Sequence, residues 1–251
     1  FVQDVFKKLE QSGHIYENEI IQFYCNNDKK FLPDRYVVGT CPYCKAEEQY
    51  SDLCEKCGRV PDEIDNPHCS ICGKTPVKEK TKHYFFKLKN FSNKLLEYLD
   101  GNQNLQKDVK KYVQNWIKDG LVDWDITRDI SWGVPVPIDG ASEKVFYGWF
   151  DNHLAYISSA IKFLNDNGND GKTFWNESDI YHFIGKDIVY HHYLFLPAMR
   201  LGIEEEYKLP DYIPTRGHLT LQSKKISKSR NWYIGLKDFL QIFPADYLRF
   251  Y

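Results

Sequence analysis

No cysteine lies beyond Cys72, although the 251 residues include 7 of them. A secreted disulfide framework would spread its cysteines along the chain and pair them evenly, so an odd set confined to one end argues against one. Clustering at Cys-x-x-Cys spacing points instead to metal in a reducing compartment, with a cytoplasmic setting expected. The chain also lacks any apolar run of membrane-spanning length and any signal-like opening segment. Charge of one sign is missing too: 33 Lys and Arg stand against 35 Asp and Glu, a net of -2. No global basic field advertises a polynucleotide partner, so a nucleic-acid contact has to come from local patches. There is no internal repeat and no low-complexity tract. No methionine opens the chain; Phe1 begins and Tyr251 ends within helical patterns, and both ends read as cuts in a longer protein. What is plentiful is apolar side chain, 42% of residues, enough for a core in one large domain or two small ones.

Periodicity divides the chain. Val2, Val5, Phe6 and Leu9 form a helical stripe over residues 1–12, closed by Gly13. Residues 14–88 change character, with short apolar runs, Pro and Gly punctuation and all the cysteines, and read as a small, loop-rich metal module. Helical spacing returns at Phe91, Leu95, Leu96 and Leu99, and again at Leu105, Val109, Val113, Trp116 and Ile117, stopped by Gly120. From about residue 124 strand and helix alternate. A strand over 145–150 leads into a helix carrying Tyr156, Ile157, Ile161 and Leu164. Another over 180–184 ends at Gly185, where Asp187 can cap the next helix, and an extended run covers 212–221. Such alternation predicts an α/β fold with a parallel sheet and crossovers. Ligands of such sheets bind beyond the carboxyl ends of the strands, where Trp149, Asp151, Gly185 and Asp187 are expected.

Cys41-Pro-Tyr-Cys44 and Cys54-Glu-Lys-Cys57 carry the strongest local signal. Two thiolates at this spacing grip one tetrahedral ion from a tight turn, which Gly58 suits after the second pair, and two such turns close a four-thiolate zinc site with no open position for water. That site is expected to be structural. A third pair, Cys69-Ser-Ile-Cys72, leaves only Cys25 as a further thiol. Asp28 stands three residues after Cys25, where a fourth cysteine would fit. Cys25, Asp28, Cys69 and Cys72 could enclose a second zinc, with His68 a competing ligand and an empty, degenerate site the alternative. Zinc knuckles alone also fit a nucleic-acid-binding module.

Lys224-Lys225-Ile226-Ser227-Lys228-Ser229-Arg230 places four cations in seven residues. Flexible ammonium groups and hydroxyls on a loop suit a transient polyphosphate whose charge must be stabilised as a bond breaks. By composition alone a solvated basic loop is the commoner reading, since short basic runs are frequent. Lys225-Ile226-Ser227-Lys228-Ser229 looks like the Lys-Met-Ser-Lys-Ser signature of class I aminoacyl-tRNA synthetases, with Ile keeping the apolar anchor. Tyr181-His-Phe-Ile-Gly-Lys-Asp-Ile-Val-Tyr-His-His192, Phe31-Leu-Pro-Asp-Arg35 and Trp124-Asp-Ile-Thr-Arg-Asp129 resemble the methionyl-tRNA synthetase family in particular. These segments occur in family order across nearly the whole chain, and they do not fit a free zinc-knuckle binder.

The resemblance implies the second half of a class I synthetase Rossmann-type parallel sheet with an inserted zinc-knuckle, or connective-peptide, domain. Residues 1–12 would end the first Rossmann half, 13–122 form the zinc-binding insertion with a helical part, 123–215 the second half, and 216–251 the signature-loop region leading to a stem-contact fold. The family's His-Ile-Gly-His motif would precede Phe1 and its anticodon-binding domain follow Tyr251; Gly13-His14-Ile15 lies after the first-half helix and lacks the second Gly-His. The implied activity is methionine activation by ATP, with Mg2+, to methionyl-adenylate, then transfer to tRNA(Met). The chain alone is expected to be inactive. Lys225 and Lys228 would hold the phosphates in the transition state. Gly185 and Asp187 would meet the ribose, with Ser227 and Arg128 near the nucleotide. Trp149, Tyr156, Ile188 and His192 match the family's amino-acid pocket and are expected to line one cavity, an apolar and aromatic one that suits a polarizable thioether. Asn152-His153 stand where the family usually has Ala-Pro, and Asn231 where it has Gly. The alternative is a synthetase-like module that binds tRNA without catalysis.

Overall fold

In the computed structural model the described residues are 1–250 apart from 53, 58, 60, 142, 205, 206, 229 and 230; the side chains of Asp34 and Lys225 also lie outside the description. Helix α1 (Val2–Gln11) buries Val5, Phe6 and Leu9 and ends before Gly13, whose φ of 72° is the left-handed conformation a helix stop favours. Strand β1 (Ile15–Cys25) runs outward and receives β2 (Lys30–Phe31) at its far end. Strands β3 (Val37–Thr40), β4 (Gln49–Tyr50) and β5 (Asp65–Cys69) form a separate antiparallel sheet in the order β4-β3-β5. Strand β6 (Val77–Phe86) then returns along β1 in unbroken antiparallel register from Tyr24↔Val77 to Ile15↔Phe86.

That ribbon corrects the expectation of a loop-rich segment over 14–88. Only Ile15 and Cys25 are buried along β1, so neither face shows the clean alternation that marks a half-buried strand. Exposed pairs Glu17–Lys82 (2.8 Å) and Glu19–Lys80 (2.7 Å) cross the ribbon diagonally. Each contributes little energy, but opposite charge across strands disfavours a slipped register. At the tip, Cys25, Leu32, Val37, Ile64 and Cys69 form a small core of their own.

Helices α2 (Ser92–Gly101) and α3 (Lys107–Asp119) follow, the second stopped by Gly120 at φ 104°. They are tied to the sheet half by side chains. Tyr98 Oη donates to the Pro210 carbonyl at 2.8 Å, and Gln106 Oε1 accepts from the Thr215 amide at 2.6 Å. Strand β7 (Trp124–Asp125) pairs with the base of β6, and β8 (Thr127–Arg128) pairs with β9 (Val145–Phe146). Helix α4 (Gly148–Asp166) starts where the sequence pattern extended a strand to residue 150. The run Val-Phe-Tyr-Gly-Trp-Phe is apolar throughout, and periodicity cannot divide such a run between strand and buried helix.

Helix α5 (Gly171–Glu177) is capped by Asp170, which accepts from the Lys172 and Thr173 amides. Strand β10 (Ile184–Gly185) lies parallel to β11 (Thr215–Arg216), and a parallel bridge joins Tyr181 to Tyr212. Parallel pairing among the described residues is confined to this place. After β10 comes a 3-10 turn (Lys186–Ile188), then a π turn (His191–Phe195) running into α6 (Leu196–Gly202). Pro197 cannot donate to the Tyr193 carbonyl, which gives the chain a reason to widen there. Asp187 makes no capping bond in that first turn, contrary to the sequence expectation. Strands β12 (Thr220–Leu221) and β13 (Lys224–Lys225) form a hairpin whose two turn residues, Gln222 and Ser223, both have positive φ. Helices α7 (Leu236–Ile242) and α8 (Ala245–Phe250) close the described chain. One large core, including Phe6, Phe86, Phe146, Phe150 and Phe195, joins α1, the ribbon base, α4 and α6.

Candidate functional site

The carboxyl ends of β9 and β10 deliver the first turn of α4 and the irregular helix after Gly185 to one place. The π turn presents consecutive histidines toward α4. His192 Nε2 lies 3.3 Å from the Tyr156 hydroxyl, and His192 Nδ1 lies 3.0 Å from the Ile188 carbonyl. The carbonyl can only accept, so Nδ1 carries the proton and Nε2 accepts from Tyr156. Burial lowers the His192 pKa and raises that of Tyr156, keeping both neutral. Tyr156 and His192 line a cavity of about 640 Å³ with His182, Phe174 and Trp175 among its other walls. Trp149 and Ile188 do not line that cavity, against the expectation of one shared space. The Trp149 ring instead lies on His191, centroids 4.3 Å apart, and Ile188 packs on the main core.

His153 is the residue the sequence reading passed over as a departure. It sits one turn beyond Trp149 on α4, fully buried, with ring centroids 5.5 Å from Trp149, 5.0 Å from His192 and 5.9 Å from His191. Neither ring nitrogen has a hydrogen-bond partner among the described residues. Burial, reinforced by the neighbouring histidines and Arg200, drives its pKa down to about 2. His182 and His191 are lowered by burial to about 3 and about 4. The cluster is therefore a set of neutral imidazoles. Asp151, on the same helix, has one carboxyl oxygen buried with no partner among the described residues, and burial raises its pKa.

Gly185 and Asp187 face the start of the segment that leads to the basic hairpin. Gly185 pairs with Arg216, and Asp187 Oδ1 is 3.2 Å from His218 Nε2. A Cβ on Gly185 would lie 2.6 Å from Asp187 Oδ1, so a side chain there would push the carboxylate away. Arg128 turns toward β7, its Nη1 2.7 Å from the Thr127 carbonyl and 3.3 Å from Asp125 Oδ2, with its guanidinium 4.0 Å above the Tyr147 ring.

The Lys225 backbone pairs with Thr220 at the end of the hairpin, while its side chain lies outside the described residues, as do Ser229 and Arg230. Beyond it Ser227 and Trp232 exchange backbone hydrogen bonds of 2.9 Å in both directions, closing a loop over 228–231. Asn231, at φ 52°, tolerates the left-handed turn where glycine is the commoner choice. Trp232 anchors the loop through Nε1 to the Leu221 carbonyl at 3.1 Å, with Lys224 Nζ 5.1 Å from its ring. Lys228, the first residue of that loop, is exposed.

Both thiol clusters assemble. Donor atoms of Cys41, Cys44, Cys54 and Cys57 lie within 4.8 Å of one another, and so do those of Cys25, Asp28, Cys69 and Cys72. The contacts Cys41–Cys57 (3.9 Å), Cys44–Cys54 (3.6 Å) and Cys25–Cys72 (3.5 Å) are far too long for disulfides. They are near the roughly 3.8 Å edge of a tetrahedron with zinc–sulfur bonds of about 2.3 Å. The knuckles share one construction. The amides of Cys41, Cys54 and Cys69 each donate to the carbonyl five residues on, Ala46, Arg59 and Lys74. The residue four on has positive φ at Lys45 and Gly73, while Gly58 lies outside the described residues. Cys25-Asn-Asn-Asp28 ends in the same way, with Lys29 at φ 51°. Asp28 therefore occupies the fourth donor position of a knuckle. Thiols of Cys72, Cys69 and Cys25 hold its carboxyl down to about 2. His68 is not among these donors and faces Glu48 at 3.5 Å.

An α/β fold with a neutral aromatic and histidine cavity at its strand ends, a basic hairpin beyond it and two four-donor thiol clusters fits a class I synthetase type of architecture. The chain belongs to the family described as tRNA synthetases class I (M), matched over residues 1–251. It is 47% identical over 250 residues to a methionine–tRNA ligase of Methanopyrus kandleri, covering 98% of this chain and 37% of that protein. A Pyrococcus furiosus methionine–tRNA ligase is 41% identical over 267 residues, again with 37% of its length covered. The chain thus spans little more than a third of the length of these relatives. Its fold matches that of Mycobacterium tuberculosis methionyl-tRNA synthetase bound by methionyl-adenylate, with a TM-score of 0.68 at 23% identity, over 99% of this chain and 44% of the other.

Proposed function

We propose that this chain is the amino-acid-binding and ATP-loop portion of a methionine–tRNA ligase. The reaction joins the methionine carboxylate to the α-phosphate of ATP, releasing pyrophosphate, and then passes the methionyl group to the terminal adenosine of tRNA(Met), releasing AMP. The observation that carries this reading is the Tyr156–His192 hydrogen bond at a cavity with aromatic walls. With Nε2 accepting, His192 leaves a lone pair of the Tyr156 hydroxyl free and orients the phenol. The neutral pair offers a polarizable wall to a thioether without charge. Trp149 and Ile188 complete the site once Trp149 leaves His191. Gly185 and Asp187 bind the ribose, Asp187 exchanging its contact with His218 for sugar hydroxyls. Lys225, Ser227, Lys228 and Arg128 attend the phosphates with Mg2+, and the lysines stabilise charge as the bond to pyrophosphate breaks.

The knuckles hold two zinc ions, one on Cys41, Cys44, Cys54 and Cys57 and one on Cys25, Asp28, Cys69 and Cys72. Each set supplies four protein donors, which suits a structural ion. Domain limits at 12/13, 122/123 and 215/216 belong to the same reading, with a cytoplasmic location. Methionine-dependent pyrophosphate–ATP exchange by the full-length protein carrying this chain tests it. Exchange is expected; a folded, zinc-loaded protein that gives none while still binding tRNA would favour the non-catalytic module.

A further inference from the structure

We infer that His153 is a specificity-determining residue of the amino-acid site, donating a ring N–H to the sulfur of the substrate side chain. The inference rests on the methionine reading above and adds a residue to it. A fully buried imidazole with both nitrogens unpartnered among the described residues is unexpected in a core. A phenyl ring would fill similar space with no polar atom to desolvate. Its surroundings indicate what would repay the polar atoms. Trp149, Tyr156 and His192 contact or approach it, with ring centroids 5.5, 6.4 and 5.0 Å away, and these are residues of the proposed side-chain site. It lies on α4 between Trp149 and Tyr156, so all three project to one side of the helix.

Access depends on Trp149. That ring is only part-buried and lies on His191, whose Nδ1 is also buried with no partner among the described residues. When Trp149 moves aside, a side chain entering past Tyr156 meets His153 next. Being neutral, His153 presents one N–H and imposes no charge that the site would have to balance. A thioether sulfur accepts that N–H weakly, whereas a methylene in the same place leaves the donor unmet. Tyr156 and His192 already satisfy each other at 3.3 Å, so His153 brings a donor that none of the described residues occupies.

The test compares methionine with norleucine, its isostere with CH2 in place of sulfur, in pyrophosphate–ATP exchange by the full-length protein. His153→Phe should lower the methionine-over-norleucine ratio of kcat/KM by about three- to tenfold, mainly through methionine, the size expected of one weak hydrogen bond. His153→Gln keeps an N–H donor and should retain most of the ratio. Equal losses for both amino acids, or an unchanged ratio in His153→Phe, would overturn the inference and leave His153 a packing residue. Should either variant fail to fold, ring-15N-labelled histidine in the unaltered protein gives a second readout. Methionine should shift the His153 N–H signal and norleucine should not; identical shifts would also overturn it. Exchange with neither amino acid by the unaltered protein would defeat the functional reading itself, and this inference with it.

Discussion

His83 of β6 is clamped against Asp129, its Nε2 2.8 Å from Oδ2, while its Nδ1 lies 2.7 Å from Asp125 Oδ2 on the other side. Thr81 and Lys144 also bind Asp129. The imidazole is fully enclosed and joins the β1–β6 ribbon to the strands that lead into the candidate site. Burial by itself lowers the His83 pKa, but its hydrogen bonds to the Asp125 and Asp129 carboxylates, together with their charge, outweigh it and the net shift is upward from 6.5. Asp129 moves the other way, to about 2: burial raises it, and His83, Lys144 and Thr81 more than offset that.

A pH dependence follows. Because the folded pKa of His83 is raised, its stabilisation is fully present below about 6.5 and is lost as pH rises through the folded value. Asp129 contributes above its unfolded pKa near 4 and is lost as pH falls toward 2. The His83 pair should therefore give thermal unfolding a decline in stability above about pH 6.5 that His83→Gln removes, while the buried neutral imidazoles of His153, His182 and His191 make stability fall as pH drops below 6.5. His83→Ala removes one partner from each of two part-buried carboxylates, which keep Arg128 and Lys144, and should cost about 1–3 kcal/mol. A His83→Gln protein with the same alkaline slope would assign that slope to another group.

The metal prediction concerns Asp28. Elemental analysis of the purified protein should give two zinc ions per chain, falling to one in Asp28→Ala and remaining at two in Asp28→Cys. Removing metal with a chelator should loosen residues 20–80 before the large core, because the small core of Cys25, Leu32, Val37, Ile64 and Cys69 is built partly from the ligands themselves. Hydrogen exchange would resolve the order. One zinc in the unaltered protein, or disulfides among these thiols, would remove the second site.

These two results mark what sequence could reveal. Cysteine spacing is local, since a knuckle closes within six residues, and Asp28 could be placed because it keeps that spacing. Gly13 and Gly120 marked helix ends for the same reason. The clamp on His83 brings together residues 42 and 46 apart, and no local pattern announces it. The β1–β6 ribbon was hidden because β1 buries only its two ends and the first four residues of β6 are exposed. In the candidate site, Tyr156 and His192 could be named only through resemblance to a family. His153 was visible as a departure, but its burial and its unpartnered nitrogens depend on α4 and the π turn meeting, which is tertiary information.

Trp149 should govern methionine affinity. Its ring lies over His191 and beside His153 and His192, so truncation removes an aromatic wall of the proposed site. Trp149→Ala in the full-length protein should weaken methionine binding by about 2–4 kcal/mol, measured by calorimetry without ATP. An unchanged dissociation constant would take Trp149 out of the site.

Lys228 separates the two halves of the proposed reaction. It is exposed directly after Ser227, whose backbone pairs with Trp232, so replacing its side chain leaves that pair in place. An ammonium group there can reach phosphate but makes no contact with the Tyr156–His192 cavity, whose walls do not include it. If the loop stabilises charge that develops only as pyrophosphate leaves, its removal should act on the transition state and spare the amino acid. Lys228→Ala in the full-length protein should therefore lower methionyl-adenylate formation by about 10²–10³-fold, the usual effect of losing one preorganised charge-stabilising group. The methionine dissociation constant should stay within about twofold, because binding without ATP engages no phosphate. Lys228→Arg should recover part of the rate, since charge is kept while the compact ammonium geometry is not. Normal pyrophosphate–ATP exchange by Lys228→Ala would reduce this segment to a solvated basic turn, whereas a parallel loss of methionine affinity would assign Lys228 to the shape of the site rather than to the phosphates.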